Sequence, residues 1–265
     1  PSDPDELRAY LQQTLESAPP SQVAGRIFGL VAPHAGYEYC ASVAAASYRA
    51  IRGRHYDSVI VVGPAHRLPV RGAAIGHWSA WETPLGTVPV DAELSAALRQ
   101  AEATIGSDPA GSAALQYEHS IETQLPWLQV VLGELRFVPL LVSDDSPENC
   151  PRIADAIASV CADRAVLLVA STDLAHYPAY DDCVRSDRRI LEAVMTMDPA
   201  VLRARDRQIL AEGVAELHCT MCGMGPVSIV LQAARRLGAE KATIVAQANS
   251  GDVPAGDRSH CVGYA

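Results

Sequence analysis

The sequence has no run of basic residues: 21 Lys and Arg stand against 31 Asp and Glu, a formal charge of −10 with a pI near 5.2. Holding nucleic-acid phosphates takes clustered Lys and Arg, so no nucleic-acid partner is expected. Long apolar runs are missing too. Stretches such as Val166-Leu167-Leu168-Val169-Ala170 and Val59-Ile60-Val61-Val62 fall far short of the ~20 residues of a membrane helix, so no membrane partner is expected either. Residues 1–20 are acidic and polar where a secretory signal would be basic and then apolar. The chain begins on Pro1 rather than Met, from which we expect a few leading residues to have been removed. A phosphate-cradling G-x-x-x-x-G-K-[ST], a dinucleotide glycine fingerprint and a G-x-S-x-G elbow are all absent, which argues against a nucleotide cofactor and against an α/β-hydrolase. Seven cysteines in 265 residues do not suggest a secreted disulfide framework, so thiols in a reducing, cytoplasmic setting are expected. Repeats, low-complexity tracts and long linkers are also lacking, and 1–265 reads as a single domain.

What is present is 49% apolar residues, enough for a sizeable core, arranged as strand-length runs that alternate with helical stretches. The patterning predicts strands at 26–32, 58–62, 136–142 and 165–170, with two more near 243–247 and 261–264. Helices are expected at 5–16, 41–51, 92–103, 120–132, 147–162 and 223–237, and on both sides of Asp198-Pro199. Ala18-Pro19-Pro20-Ser21 breaks the first helix, and 72–90 is an irregular section that bears strands. Short continuous apolar strands between helices give a mostly parallel central sheet covered on both faces, a three-layer αβα sandwich of the α/β class.

Three segments repeat one design, an apolar strand followed by a tight turn bearing a His or Asp. They are Leu30-Val31-Ala32-Pro33-His34, Val61-Val62-Gly63-Pro64-Ala65-His66 and Val169-Ala170-Ser171-Thr172-Asp173-Leu174-Ala175-His176. In open α/β sheets the ligand crevice lies beyond the carboxyl ends of the strands, so these residues can converge there. One such histidine alone would ordinarily be a loop imidazole bonded to backbone; the repetition favours grouped neutral imidazoles, which commonly hold a metal. Glu118-His119-Ser120-Ile121-Glu122 reads either as a helix cap or, if its loop folds over the same edge, as a place where His119 serves as acid, base or oxygen-binding group. Cys219-Thr220-Met221-Cys222 has no second C-x-x-C to complete a structural zinc site. Cys222 opens a glycine-flanked helix whose dipole favours a thiolate, against the alternative of a small buried hydrophobe. Cys40, Cys150, Cys161, Cys183 and Cys261 read as packing residues, and Trp78 and Trp81 as packing or pocket-lining.

At Ala32-Pro33-His34-Ala35-Gly36-Tyr37, Gly63-Pro64-Ala65-His66, Thr83-Pro84-Leu85-Gly86, Glu118-His119-Ser120-Ile121-Glu122, Ser171-Thr172-Asp173-Leu174-Ala175-His176 and Met221-Cys222-Gly223 the sequence resembles the MEMO family, also known as AmmeMemoRadiSam system protein B. The resemblance spans most of the chain in the family's order. It implies a fold like that of class III (LigB-type) extradiol dioxygenases, non-haem iron enzymes that open catechol rings with O₂. Carried over, it implies His34, His66 and Cys222 as metal ligands and His176, Asp173 and His119 as catalytic groups. Tyr37, Glu118 and Trp81 are expected to contact substrate. Fe(II) is the first expectation for the metal, with Cu or Zn as alternatives. The partners would be O₂ and a small catechol-like or other aromatic molecule. No oligomeric state is read from the sequence. Two departures matter: Cys222 stands where the dioxygenases have a glutamate, and Arg67 stands where the family often has a second His. A thiolate shifts preference toward softer ions, which keeps open a metal- or peptide-binding protein without turnover. A metal-dependent hydrolase is a third reading.

Overall fold

A computed structural model describes residues 1–20 and 23–265; Ser21, in the break expected after the first helix, lies outside the described residues. Helix α1 (Pro4–Ser17) starts where the Asp3 carboxylate accepts the N–H groups of Asp5 and Glu6, and it buries Leu7, Leu11 and Leu15 at helical spacing. Strand β1 (Gly29–Ala32) leads into α2 (Tyr37–Arg49), then β2 (Ser58–Pro64) and the short β3 (Ala73–Ala74). A hairpin of β4 (Ala80–Thr83) and β5 (Gly86–Pro89) precedes α3 (Ala92–Ala101), α4 (Gly111–Gln116), a 3₁₀ turn (Glu122–Gln124) and α5 (Leu125–Leu132). Next come β6 (Phe137–Val142), α6 (Asn149–Cys161), β7 (Val166–Ser171), α7 (Tyr180–Val194), α8 (Pro199–Ala211) and α9 (Met224–Arg236). The chain closes with β8 (Ala248–Asn249), a 3₁₀ turn (Ser250–Asp252) and β9 (Gly263–Tyr264).

The central sheet has the order β1-β7-β2-β6-β3, parallel except for β3, with helices on both faces. Every residue of β2, β6 and β7 is buried, as expected of strands covered on both sides. Their side chains alternate between two cores. Ile60, Val62, Leu168 and Ala170 pack with α3, α6, α7, α8 and α9, whereas Val59, Val61, Leu167 and Val169 pack with α1, α2, α4 and α5. Each fully buried Leu, Ile or Val contributes about 1.5–3 kcal/mol. Ala32 is level with Ser171 and Val62 with Ala170, so β1, β7 and β2 end together.

The three-layer sandwich follows the sequence pattern, and the differences have local causes. The first strand begins at Gly29 instead of residue 26, because pairing with β7 starts at Gly29 opposite Leu168. Helix α2 starts four residues before the expected 41: the Gly36 carbonyl accepts the N–H groups of Tyr39 and Cys40 and draws Tyr37 into the first turn. The helix expected at 120–132 opens as a 3₁₀ turn before α5. Residues 243–247 form no strand. Val245 and Ala246 pack instead on the α2-side core, and they line with Phe28 and Leu30 an apolar cavity of about 380 Å³ beside β1. The terminal pairing is carried by β8 and β9, so the strand expected at 261–264 is confined to Gly263–Tyr264. Helix α4, six residues that begin Gly-Ser-Ala-Ala and have no side-chain cap, has no periodic signal that would have revealed it.

Two close approaches fix the loop that follows β7. Gly223, at the start of α9, donates its N–H to Thr172 Oγ1 at 2.8 Å, and a Cβ there would fall 2.5 Å from Thr172 Cβ and 2.6 Å from the Ser171 carbonyl oxygen. Behind the loop, β9 exchanges backbone hydrogen bonds with Leu174 and Ala175. Asp187 of α7, 1% exposed, accepts the Ala175 N–H at 3.0 Å. Burial pushes this carboxyl up to about 7, against the lowering effect of the bonds from Ala175 and Cys183.

Two outcomes follow from these contacts. Gly223→Ala is expected to cost about 1–3 kcal/mol by overpacking, read as a lower denaturant midpoint at unchanged slope. For Asp187 the folded chain binds its proton more tightly than the unfolded chain, whose carboxyl has the ordinary value of 3.8. The group is therefore least unfavourable below pH 4, and stability falls as pH rises toward 7 by at most about 4 kcal/mol. Asp187→Asn should flatten that slope between pH 4 and 7 in chemical denaturation. A wild-type profile as flat as the variant's would refute the assignment.

Candidate metal centre

Each of three neighbouring strands delivers one polar residue two positions past its end. These are His34 after β1, His66 after β2 and Asp173 after β7. Two further loops rest on the same edge. The loop before α5 is held where Ser120 Oγ donates to the Pro64 carbonyl at 2.9 Å, and it carries Glu118 and His119. The turn before α9 lies on Thr172 and carries Cys222.

These elements bring ligand atoms of His34, His66 and Cys222 within 4.8 Å of one another. Cys222 Sγ is 3.3 Å from His34 Nε2, and the rings of His34, His66 and His119 pack with centroids 5.0–5.4 Å apart. His34 is 3% exposed, and burial, only partly offset by Asp173, pushes its pKa down to about 4, so the ring is neutral at neutral pH. The helix start was expected to favour a thiolate at Cys222. Burial outweighs it and pushes the thiol up, with Asp173 adding to the shift, while the Asp173 N–H donates to the sulfur at 3.3 Å. Asp173 Oδ1 accepts the backbone N–H groups of His34 and Ala35, and Oδ2 stands 3.9 Å from His34 Nε2.

Glu118, His66 and His119 form a second group of possible ligands, but its carboxylate already accepts four hydrogen bonds. The Glu118 side chain is 1% exposed; Oε1 accepts His66 Nδ1–H and the backbone N–H groups of His119 and Ser120, and Oε2 accepts the His66 N–H. Burial opposes its ionisation, yet the bonds from His119 and His66 prevail and hold the carboxyl far below its usual range. Glu118 thus lies beneath the site as the carboxylate that orients His66, leaving Nε2 as that ring's free nitrogen. The hydrogen bond to Glu118 also raises the pKa of His119, whose side chain is 42% exposed.

A cavity of about 360 Å³ opens onto this group, lined among others by His34, Tyr37, Pro84, His119, Glu122 and Thr123. The Tyr37 hydroxyl donates to the Thr123 carbonyl at 2.7 Å. His176 makes its side-chain contacts elsewhere: Nδ1 is 2.8 Å from the Leu174 carbonyl and 3.5 Å from Cys219 Sγ, and the ring meets Tyr177, a residue at φ +73°. The Trp81 ring contacts Phe137 and Trp78, with centroids 5.4 and 6.3 Å away. Cys40, Cys150, Cys161, Cys183 and Cys261 are all buried thiols. Sequence reasoning missed the polar residues behind His34, namely Tyr48, Ser120, Gln124 and Ser171. The one available signal was Ser171-Thr172, a polar pair closing an otherwise apolar strand.

Comparison with known proteins agrees with the motif resemblance. The family model described as Memo-like protein matches residues 1–265. A MEMO1 family protein of Methanopyrus kandleri is 35% identical over all of this chain and 93% of its own length. Another from Nitrosopumilus maritimus is 30% identical over all of this chain and 94% of its own length. A third, from Thermotoga maritima, is 38% identical over 89% of this chain and 80% of its own length. With the motifs, the sheet and the whole-length match in agreement, the chain belongs to the Memo-like family.

Proposed function

We propose that the chain is a metal-dependent oxidoreductase of the extradiol-dioxygenase type, with His34, His66 and Cys222 holding the metal and Fe(II) as the first-choice ion. The observation that carries this reading is the approach of three donors within 4.8 Å at one edge of the parallel sheet, His34 and His66 from the turns after β1 and β2 and Cys222 from the turn before α9. Bonds of about 2.0–2.3 Å from one ion put donor atoms roughly 3–4 Å apart, which this spacing fits. The ring nitrogens turned away from Glu118 and Ser171 suit ligation, since the opposite nitrogen of each ring already has its partner. When bound, Fe(II) supplies a redox centre at which a catechol-type substrate and O₂ meet.

The other residues divide the remaining work. His119, at the cavity mouth with its pKa raised by Glu118, donates a proton to the substrate as general acid. His176, with Nδ1 on the Leu174 carbonyl, has Nε2 left to take a proton from a hydroxyl. Asp173, braced by two backbone N–H groups, keeps a carboxylate oxygen beside His34 to orient the substrate. Tyr37 and Glu122 line the cavity and select a small molecule. Seven free cysteines suit a reducing cytoplasm, and among the described residues no helix is long and apolar enough to cross a membrane.

Cys222 favours a second reading. A thiolate with two imidazoles prefers softer ions such as Cu(I) or Zn, and the protein would then bind metal without turning over substrate.

The test is metal analysis of protein purified without air, followed by Fe(II) loading and a catechol panel with O₂. About one metal per chain is expected, falling at least tenfold in His34→Ala, His66→Ala and Cys222→Ala, with oxygen uptake and ring-opened product from the wild type. Metal content unchanged in all three variants would sink the site. Metal bound in full with oxygen uptake no faster than that of free Fe(II) would leave the binding reading in its place.

A further inference from the structure

The polar residues behind His34 form a buried chain in which the direction of every hydrogen bond can be assigned. Tyr48, Gln124 and Ser171 are each fully buried, and their side-chain polar atoms all have protein partners within hydrogen-bond distance. The Gln124 amide sits 2.9 Å from the Pro33 carbonyl, a group that only accepts, so the nearer amide atom is the NH₂ nitrogen. Its oxygen then faces Tyr48, whose hydroxyl donates to it at 2.6 Å. The second amide hydrogen of Gln124 goes to Ser171 Oγ at 2.8 Å.

Ser171 Oγ has two other neighbours. The Ser120 carbonyl lies 2.5 Å away, a separation at which two oxygens must share a hydrogen, and the carbonyl has none. The single Ser171 hydrogen is therefore committed to Ser120. His34 Nδ1, at 2.8 Å, then meets an oxygen that has only lone pairs left to offer. A bare Nδ1 would set acceptor against acceptor at 2.8 Å. The hydrogen belongs on Nδ1, which leaves Nε2 as a lone pair 3.3 Å from Cys222 Sγ.

We infer that Ser171, oriented by Gln124 and Tyr48, is the positioning residue that holds His34 in its Nδ1–H tautomer and keeps Nε2 ready as a donor atom. Ser171 does not line the cavity; it acts through the His34 ring. The consequence for metal affinity rests on the proposed role of His34, but the tautomer itself is a property of the protein alone. This separates the two in experiment.

The experiment is long-range ¹H–¹⁵N correlation on metal-free protein labelled at histidine, with His34 assigned by the signals lost in His34→Gln. In the wild type Nδ1 is expected to give a protonated-type signal and Nε2 a bare-type signal. In Ser171→Ala the two are expected to move toward each other as the second tautomer becomes populated. Fe(II) titration without air should then show affinity weaker by about 10–100-fold in that variant. Should Ser171→Ala fail to fold, Tyr48→Phe releases the far end of the chain and is expected to shift the His34 signals the same way by less. A wild-type His34 carrying its hydrogen on Nε2, or His34 signals unmoved in a folded Ser171→Ala or Tyr48→Phe, would overturn the inference. A locked tautomer in a wild type that binds no Fe(II) would support it while refuting the proposed metal centre.

Discussion

Parallel strands align residue against residue, and the alignment of β1, β7 and β2 decides where each side chain of the site stands. Ala32 faces Ser171 and Val62 faces Ala170, so the turns that follow leave the sheet at one level. A slip of one residue in β7 would exchange Leu167 and Val169 with Leu168 and Ala170 between the two cores. Burial on both faces prevents that slip. The loop of Glu118 and the turn of Cys222 add no independent frame, because each is fastened to a strand end, at Pro64 and at Thr172.

Beyond the last ladder bonds, this edge must satisfy polar groups that the sheet no longer pairs. It does so with a few side chains whose bonds are complete. Glu118 takes up the backbone N–H groups of His66, His119 and Ser120, and Asp173 takes up those of His34 and Ala35. In a low-dielectric interior such satisfied networks are stiff, because any rotation leaves a buried group unpaired. The rigid part ends where exposure begins. His119 and the cavity beside it face outward, while His34 and its supports lie behind them.

This division explains what could be read from the sequence. Strands with both faces buried appear as uninterrupted apolar runs, so β2, β6 and β7 were legible, and with them the strand-end positions of His66 and Asp173; His34 follows the shorter, half-buried β1. Residues 243–247 have the same β-branched character, but their side chains are taken by the α2-side core, a tertiary choice that local pattern does not encode. The family resemblance offered Glu118 as a substrate contact; its inward turn depends on loop N–H groups that no spacing rule shows. Gln124 and Tyr48 fall in stretches expected to be helical, and both are fully buried. Their polar role emerges only when Pro33 and Ser171 arrive from other parts of the chain.

Charge gives the last constraint on the centre. On the proposed reading two neutral imidazoles and one thiolate face the ion, with the Asp173 carboxylate beside them. The Glu118 carboxylate is answered by its own ring of N–H donors and lends little to the balance. A divalent ion would cancel the thiolate and Asp173 together, whereas a monovalent ion would leave one negative charge in a mostly buried space. Softness of the sulfur pulls toward Cu(I), while charge balance pulls toward Fe(II) or Zn. Asp173 is therefore the residue through which the two preferences compete: with its carboxylate removed, a monovalent ion becomes the neutral choice. On that reading the thiolate would set which ions are soft enough to bind, and the neighbouring carboxylate which of them leaves the site uncharged.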